Sequence, residues 1–419
     1  MRIRRVNQVK QRKIIAAALC ILLILTCGAA CGKTGSDSPP GTGTSSSETE
    51  KPGHQTEDAG ESRAPSASGQ DTAPESRPET GPAETEPAAE PGVSRSYGVN
   101  SVGKSINPLT GLADSGALSA LRPAAVIINN IKVSMPQNGI AQADVIYEFM
   151  AEGGITRLLM LSADYRTLKT VGSVRSAREC FIDAAQNHDA VLVHIGGSDE
   201  AFASIKRRQI DDLDAISMSV PGLYWQDPWR KANMPSGEHT WVTDGSAIAN
   251  GIAYRKYRTE IKSGFGGSFD FVDYDAAPVL PSGADALYLK IVYNGYQQPE
   301  FRYDAGSGTY LRWQYGSRHI DGTTGEQLSF RNVLVLSCVH TDLHDDKQHV
   351  DVDMSGIGEG YYFSCGKYQK IAWSKADPDT PVRFYKEDGT PLILNCGKTF
   401  IEVVSPDVFR SITVLNTDS

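Results

Sequence analysis

The stretch Ser176–Ser198, SARECFIDAAQNHDAVLVHIGGS, carries the clearest structural signals in the sequence. Its first half has helical periodicity, and Ser176 with Glu179 matches the S-x-x-E capping box that begins many helices. The apolar run Ala190–Ile195 then predicts a short buried strand, and the glycines after it a turn into a second helix, Asp199–Lys206. This alternation of helix and strand predicts an α/β layer fold.

Apolar stretches that predict further strands lie on both sides of this segment. Upstream, three apolar stretches predict strands at Ala124–Ile128, Ala143–Phe149 and Ile155–Ser162. Downstream, short strands alternate with Gly, Asp and Asn turns, which is typical of an antiparallel β domain. These strands are Leu287–Tyr293, Thr309–Gln314, Asn332–Val339, Val350–Met354, Tyr368–Trp373 and Lys398–Val404. We therefore predict an α/β N-terminal domain over residues 97–275, followed by a smaller, mostly antiparallel β C-terminal domain over residues 276–419.

The N-terminus has the features of an export signal. Six Lys and Arg residues among the first thirteen precede the apolar run Ile14–Thr26, which is short for a membrane span. Small residues follow, and Ala30 before Cys31 suits cleavage by a lipoprotein signal peptidase. We predict a lipoprotein signal peptide at residues 1–31 with lipid attached to Cys31. The alternative is an uncleaved signal anchor, because Ile14–Gly32 carries no charge.

Residues 32–96 have the composition of a disordered linker. From Thr34 to Ser96 the net charge is −8, and Val93 is the only large aliphatic or aromatic residue. Such a segment buries too little apolar surface to offset the entropy of ordering it. We predict an acidic tether that joins the membrane to the folded body. The body would then be extracytoplasmic, anchored by lipid to the outer face of the cytoplasmic membrane.

Charge and cysteine spacing exclude several function classes. Residues 97–419 carry a net charge of −8, whereas nucleic-acid-binding proteins carry clustered Lys and Arg, so we predict no nucleic-acid partner. The four cysteines of the body form no C-x-x-C pair and fit no zinc pattern. The His- and Asp-rich run at residues 340–353 matches no specific metal motif and is typical of a solvated loop. We predict no metal site and no cofactor.

Polar residues near the ends of predicted elements suggest a binding site. Arg175 and Arg178 flank Ser176, and guanidinium groups beside a helix N-terminus attract anions. A second such end follows His194, where Gly196 and Gly197 allow a tight turn and Ser198 can cap the next helix. Together these residues predict a concave polar site for an anion. The alternative is that both serines only cap helices while an arginine pairs with a structural carboxylate.

Two carboxylates suggest a second chemistry. If the strand continues, Glu148 and Glu152 share a face, with Arg157 nearby, and a carboxylate pair is what glycoside hydrolysis requires. The alternative is a structural ion network with the arginine. Asn129 and Asn130, directly after a strand, could bind a sugar or carboxylate or could shape a turn.

Several short stretches together match the pattern of a known protein family. They are NPLTGL (Asn107–Leu112), RP (Arg122–Pro123) with Asn129 and Asn130, QADVIYE (Gln142–Glu148), EGGITR (Glu152–Arg157), VRSAR (Val174–Arg178), HIGGS (His194–Ser198), HID (His319–Asp321), TGEQ (Thr324–Gln327), NV (Asn332–Val333), GEG (Gly358–Gly360) and GKT (Gly397–Thr399). These stretches resemble the YerB-like bacterial lipoprotein family, a two-domain family of uncharacterised function. The order and spacing of these stretches agree with the family over most of residues 107–404, but the family has no established reaction to carry over. The family's HNLYT-like motif reads HTWVT from His239 here, so we include His239 among the ligand-binding candidates, and Cys396 stands where the family has Pro.

Three functional hypotheses follow from these observations. The first is a cell-envelope binding or scaffolding protein with a polar pocket for an anionic or glycan-like ligand, such as cell-wall glycan. The second is a glycan-acting hydrolase that uses Glu148 and Glu152 as catalytic groups. The third is a purely structural partner of other envelope proteins.

Overall fold

The computed structural model describes residues 97–217 and 220–417, and all of them lie in one compact unit. The predictions of a signal peptide at residues 1–31, of lipid on Cys31 and of a tether at residues 32–96 therefore concern residues outside the described part of the chain. Within that part, no helix is both long enough and apolar enough to cross a bilayer.

The described residues before 275 contain short strands and four α-helices. Single 3-10 turns at Lys132–Ser134, Ile140–Gln142, Tyr165–Thr167 and Gly237–His239 connect some of them. The strands are β1 (Ala124–Asn129), β2 (Val145–Glu152), β3 (Ile155–Ser162), β4 (Val171–Gly172), β5 (Val191–His194), β6 (Asp212–Asp214), β7 (Trp225–Gln226), β8 (Trp241–Thr243) and β9 (Asp270–Phe271). The helices are α1 (Glu179–Gln186), α2 (Asp199–Arg208), α3 (Pro228–Asn233) and α4 (Gly245–Arg255).

The described residues after 275 are almost entirely strands, with one short helix near the end. The strands are β10 (Tyr288–Lys290), β11 (Glu300–Asp304), β12 (Thr309–Gln314), β13 (Ser317–Arg318), β14 (Ser329–Phe330), β15 (Asn332–Ser337), β16 (Val339–Asp342), β17 (Val350–Asp353), β18 (Gly356–Ser364), β19 (Lys367–Lys375), β20 (Arg383–Lys386), β21 (Ile393–Leu394), β22 (Thr399–Val404) and β23 (Thr413–Leu415). The helix is α5 (Pro406–Arg410).

Strands from both halves form one ten-stranded sheet, in the order β20-β19-β18-β15-β22-β2-β3-β1-β5-β6. Strand β22, near the end of the chain, lies between β15 and β2 and runs parallel to both. The boundary that we predict between residues 275 and 276 stays a prediction, but the strands on its two sides share a sheet. The last long strand therefore joins the two halves through backbone hydrogen bonds.

A second sheet, in the order β13-β12-β11-β10-β23, packs on one face of the ten-stranded sheet. Alternate residues of the large sheet, such as Ile146 and Phe400, meet Phe301 and Tyr310 of the second sheet in one apolar cluster. The other face of the large sheet packs on helix α1, with Phe181 fully buried. Because side chains alternate along a strand, neighbouring residues of β1, β2 and β22 belong to different cores.

The hairpin between β2 and β3 has an irregularity beside the candidate site. Its two-residue turn consists of Gly153 and Gly154, with φ of 53° and 76°, which is the combination that a tight hairpin turn of this kind requires. Just before the turn, the pairing register shifts between Met150 and Glu152. A bulge of this kind reverses which face the following side chain occupies.

Several predicted elements are confirmed and one is wrong. The strands predicted at Ile155–Ser162 and Thr309–Gln314 have those bounds, and Ser198 caps α2 by accepting a hydrogen bond from the Ala201 backbone N–H at 3.1 Å. Ser176 does not cap α1, because the chain is still extended there: Ala177 bridges Gly197 in parallel, and the helix begins after Arg178.

The predicted fold class is supported in part. The described helices before residue 275 are in the half that we predict to be α/β, but the strands there pair in both directions, with β3 antiparallel to β1 and β5 parallel to it. After residue 275 most described pairs are antiparallel, such as β18 with β19. The fold is therefore strand-rich, with few helices and a β-rich second half.

Candidate functional site

Two glutamates lie side by side between the two sheets. Glu148 on β2 and Glu402 on β22 are paired in register across parallel strands, and both side chains are fully buried. Arg312, on β12 of the opposite sheet, donates a hydrogen bond to Glu148 Oε2, and its Nη2 lies 4.0 Å from Glu402 Oε1. The Arg312 guanidinium also lies 4.8 Å from the centre of the Phe400 ring. One arginine thus faces two carboxylates in an apolar setting.

A closed ring of hydrogen bonds surrounds this contact. Arg312 donates to His319 Nδ1, and His319 Nε2 donates to Gln137 Oε1 at 2.7 Å. Gln137 donates to Asn130 Oδ1 at 3.2 Å, and Asn130 donates to Glu148 Oε1 at 3.0 Å. Every member is buried. We call Glu148, Arg312, His319, Gln137 and Asn130 the buried ring; it links loops of the first half to strand β12 of the second.

Burial sets the protonation states in and beside the buried ring. Burial and the positive charge of Arg312 hold the pKa of His319 well below its usual value, so His319 is neutral and can accept from Arg312. Burial and the neighbouring charge of Glu148 hold the pKa of Glu402 well above its usual value. Glu402 therefore keeps its proton, and its Oε2 accepts a hydrogen bond from Tyr293 at 2.7 Å.

The second group of charged residues lies on the other face of the sheet, beside the start of α1. Glu152 accepts hydrogen bonds from Arg157 on one oxygen and from Arg178 Nη2, at 2.8 Å, on the other. Arg175 donates to Glu238 Oε2 at 3.0 Å. We call Glu152, Arg157, Arg175, Arg178 and Glu238 the arginine cluster. It contains three guanidinium groups and two carboxylates.

The arginine cluster is incompletely satisfied. The Nε atoms of Arg157, Arg175 and Arg178 are all buried without a hydrogen-bond partner. Burial and the neighbouring charges of Arg178 and Arg175 lower the pKa of Arg157 to about 9, although Glu152 opposes the shift. Buried polar groups in folded proteins normally have partners. The cluster therefore has both an excess of positive charge and free donors.

Asn129 and His239 extend the arginine cluster at the end of β1. Asn129 lies opposite Arg157 in the strand register, and its Nδ2 donates to His239 Nδ1 at 3.0 Å. Burial lowers the pKa of His239, so the ring is neutral. Because Nδ1 accepts from Asn129, the ring proton is on Nε2, which lies 3.5 Å from Glu238 Oε1. The predicted residues Asn129, Glu152, Arg157, Arg175, Arg178 and His239 thus lie in one neighbourhood.

The remaining predicted residues of the segment His194–Ser198 lie beside the arginine cluster, since the Ile195 backbone N–H donates to the Arg175 carbonyl at 3.1 Å, but their side chains bond other groups. His194 is fully buried, with Nδ1 2.8 Å from the Gly196 carbonyl and Nε2 3.0 Å from Asp212. Gly196 donates to Asp214, Gly197 bridges Ala177, and Ser198 caps α2, so these three have structural partners. Ser176 contributes its backbone carbonyl, which accepts from Arg157 at 2.9 Å.

The expectation that Glu148 and Glu152 point the same way is wrong. The bulge between Met150 and Glu152 moves the second carboxylate to the face of Arg157, while Glu148 faces Arg312 between the sheets. Asn129 and Asn130, adjacent residues at the end of β1, also point to different places, the first toward His239 and the second into the buried ring. The neighbour that Glu148 has in the structure is Glu402.

Two smaller observations concern the cysteines and metal sites. Cys180, Cys338, Cys365 and Cys396 are all free thiols. Among residues 97–217 and 220–417, no group of three or more His, Cys, Asp or Glu side chains is arranged to hold a metal ion.

Comparisons with known proteins match both halves of the chain. Residues 109–258 match the N-terminal domain, and residues 289–401 the C-terminal domain, of a family described as a protein of unknown function (DUF3048). The chain is 28% identical to the protein named "Putative lipoprotein YerB" of Bacillus subtilis (strain 168). The alignment covers 305 residues, which is 72% of this chain and 86% of that protein. The chain belongs to the YerB-like family.

A solved structure supports the same conclusion. The crystal structure of the YerB protein from Bacillus subtilis superimposes with a TM-score of 0.61 at 27% identity, covering 73% of this chain and 98% of that one. The resemblance to the YerB-like family that the sequence motifs indicate is thereby confirmed. A relative described as a lipoprotein is consistent with an envelope lipoprotein of unknown function.

Proposed function

We propose that this protein is a lipid-anchored binding protein of the cell envelope, whose arginine cluster receives an anionic, glycan-like ligand. One observation carries the proposal: three guanidinium groups face two carboxylates, and all three Nε–H groups are buried without partners. The shortage of negative charge distinguishes this cluster from a structural ion network, in which the charges balance.

Burying the charges of the arginine cluster costs free energy. A cation removed from water is stabilised only by an opposite charge and by hydrogen bonds to its donors. Glu152 supplies these to Arg157 and Arg178, and Arg175 is left with the more exposed Glu238. A ligand carboxylate or phosphate could pair with Arg175, because guanidinium groups bind such oxyanions in a bidentate manner. Arg175 is 18% exposed at its side chain, so a ligand can reach it from solvent.

Arg175→Ala is expected to weaken binding of N-acetylmuramic acid to the full-length protein by at least about tenfold, since truncating one partner of a hydrogen-bonded charge pair costs this much or more. N-acetylmuramic acid is a wall sugar that carries a carboxylate, and N-acetylglucosamine has the same ring without it. Isothermal titration calorimetry measures both. The matched control is Arg207→Ala, which changes an exposed arginine on α2 that bonds Glu179 and Ser204. Equal affinities of wild type and Arg175→Ala would contradict the proposal.

The proposed anchor is lipid on Cys31, and the lipoprotein name of the relative supports it. Cys31→Ser is expected to abolish the incorporation of labelled palmitate into the protein, because the thiol that would carry the lipid is gone. Labelling of growing cells followed by immunoprecipitation measures this. Cys27→Ser, a change in the same segment, is the control and keeps the label. A wild-type protein that takes up no label would favour the alternative of an uncleaved signal anchor.

The two alternatives make different predictions. A hydrolase that uses Glu148 and Glu152 has less support, because these carboxylates engage different partners on opposite faces and Glu148 is fully buried. Release of reducing ends from purified wall glycan, lost in Glu148→Gln, would favour it. If the protein is purely a structural partner of envelope proteins, substitutions in the arginine cluster should leave its function unchanged.

A further inference from the structure

Glu238 is the exposed member of the arginine cluster. Its side chain is 55% exposed, whereas that of Glu152 is 16% exposed. Glu152 bonds two arginines, whereas Glu238 bonds one arginine, Arg175, and also Ser236. The two carboxylates therefore differ in how easily solvent or a ligand could replace them.

Glu238 occupies a position with an N–H donor on each side. Its Oε2 accepts from Arg175 Nη2 at 3.0 Å, and its Oε1 faces His239 Nε2 at 3.5 Å. The orientation of Asn129 fixes the donor on His239: Asn129 Oδ1 accepts from the Ile131 backbone N–H at 3.3 Å, so its Nδ2 faces His239 Nδ1. The remaining imidazole proton must then be on Nε2. We call Arg175 and His239 the carboxylate seat.

The carboxylate seat does not depend on the Glu238 side chain for its position. Arg175 Nη1 donates to the Glu238 backbone carbonyl at 3.2 Å, a contact that remains if the side chain rotates away. The His239 carbonyl accepts from Arg230, a fully buried arginine that also bonds the carbonyls of Ser134 and Pro136. The backbone under the seat is therefore held while the side chain above it is exposed.

We propose that Glu238 is an internal occupant of the carboxylate seat and that a carboxylate of the ligand replaces it on binding. This inference rests on the proposed function, and it narrows the ligand from an anion to a carboxylate that accepts from both Arg175 and His239. The exchange replaces one anion by another, so Arg175 has a carboxylate partner before and after binding. No covalent bond is made or broken in the protein; the Glu238 carboxylate moves into water.

The test is binding of N-acetylmuramic acid to full-length Glu238→Ala. Removing the internal competitor is expected to raise the affinity about two- to fivefold, the range set by an exposed ion pair, with no gain for N-acetylglucosamine. Glu200→Ala removes another exposed acid of the same half and is expected to leave the affinity unchanged.

The outcomes separate this inference from the proposed function. If wild type binds in an Arg175-dependent manner but Glu238→Ala binds no better, the internal occupant is refuted and the binding site stands. If Glu200→Ala gains as much as Glu238→Ala, the effect is general charge, and the internal occupant is again refuted. If neither wild type nor Glu238→Ala binds N-acetylmuramic acid more tightly than N-acetylglucosamine, both the inference and the proposed function are refuted.

Discussion

Arg312→Ala is expected to lower the free energy of unfolding by about 3–5 kcal/mol, the cost of leaving a buried charge without its partner. The residue left without its partner is Glu148, which is fully buried and whose Oε2 accepts a hydrogen bond from Arg312. His319 loses its donor at the same time, and a gap opens beside the Phe400 ring. The buried ring, which links the two sheets, would be broken at its only guanidinium.

Urea unfolding of the purified protein, followed by tryptophan fluorescence, measures this change. Arg318→Ala is the control, because Arg318 is an exposed arginine six residues along in the same sheet, and exposed substitutions typically change stability by less than about 0.5 kcal/mol. A loss below about 1 kcal/mol for Arg312→Ala would show that Glu148 does not depend on this contact.

Glu402→Gln is expected to remove a pH dependence of stability. Because burial and Glu148 raise the pKa of Glu402, the folded protein keeps this proton at pH values where the unfolded chain has lost it. The folded state then binds more protons, so the free energy of unfolding falls as pH rises above the ordinary pKa of a glutamate. One proton gives a slope of up to about 1.4 kcal/mol per pH unit. Glutamine is neutral at every pH and can still accept from Tyr293.

Unfolding curves from about pH 5 to about pH 8 test this expectation, within the window in which an unfolded glutamate is ionised. The difference in stability between Glu402→Gln and wild type should grow as the pH increases, in favour of the variant. Glu326→Gln, an exposed change, should run parallel to wild type. A constant difference between Glu402→Gln and wild type would mean that Glu402 is ionised in the folded protein.

Local sequence patterns predicted individual elements well. The strand at Ile155–Ser162 and the cap at Ser198 depend on contacts within a few residues, and both are confirmed. The cap at Ser176 failed because a distant segment intervenes: Ala177 bridges Gly197, which keeps the chain extended until Arg178. The bulge before Gly153 was also missed, since nothing in the local pattern marks the register shift.

The arginine cluster was partly predictable and the buried ring was not. Arg175, Arg178 and Arg157 were identified because they lie at the ends of predicted elements. Arg312 meets Glu148 across 164 residues of sequence, and only the packing of two sheets brings them together. One signal was present: Glu402 is a single carboxylate in the otherwise apolar stretch FIEVV, and a lone charge in a buried strand requires a partner.

We propose that the arginine cluster receives a ligand carboxylate at Arg175. A crystal structure of the full-length protein with N-acetylmuramic acid would show where that carboxylate binds. We expect it within hydrogen-bonding distance of the Arg175 guanidinium and His239 Nε2, with the Glu238 side chain turned toward solvent. A sugar bound at another place, with Glu238 still paired to Arg175, would contradict the proposal.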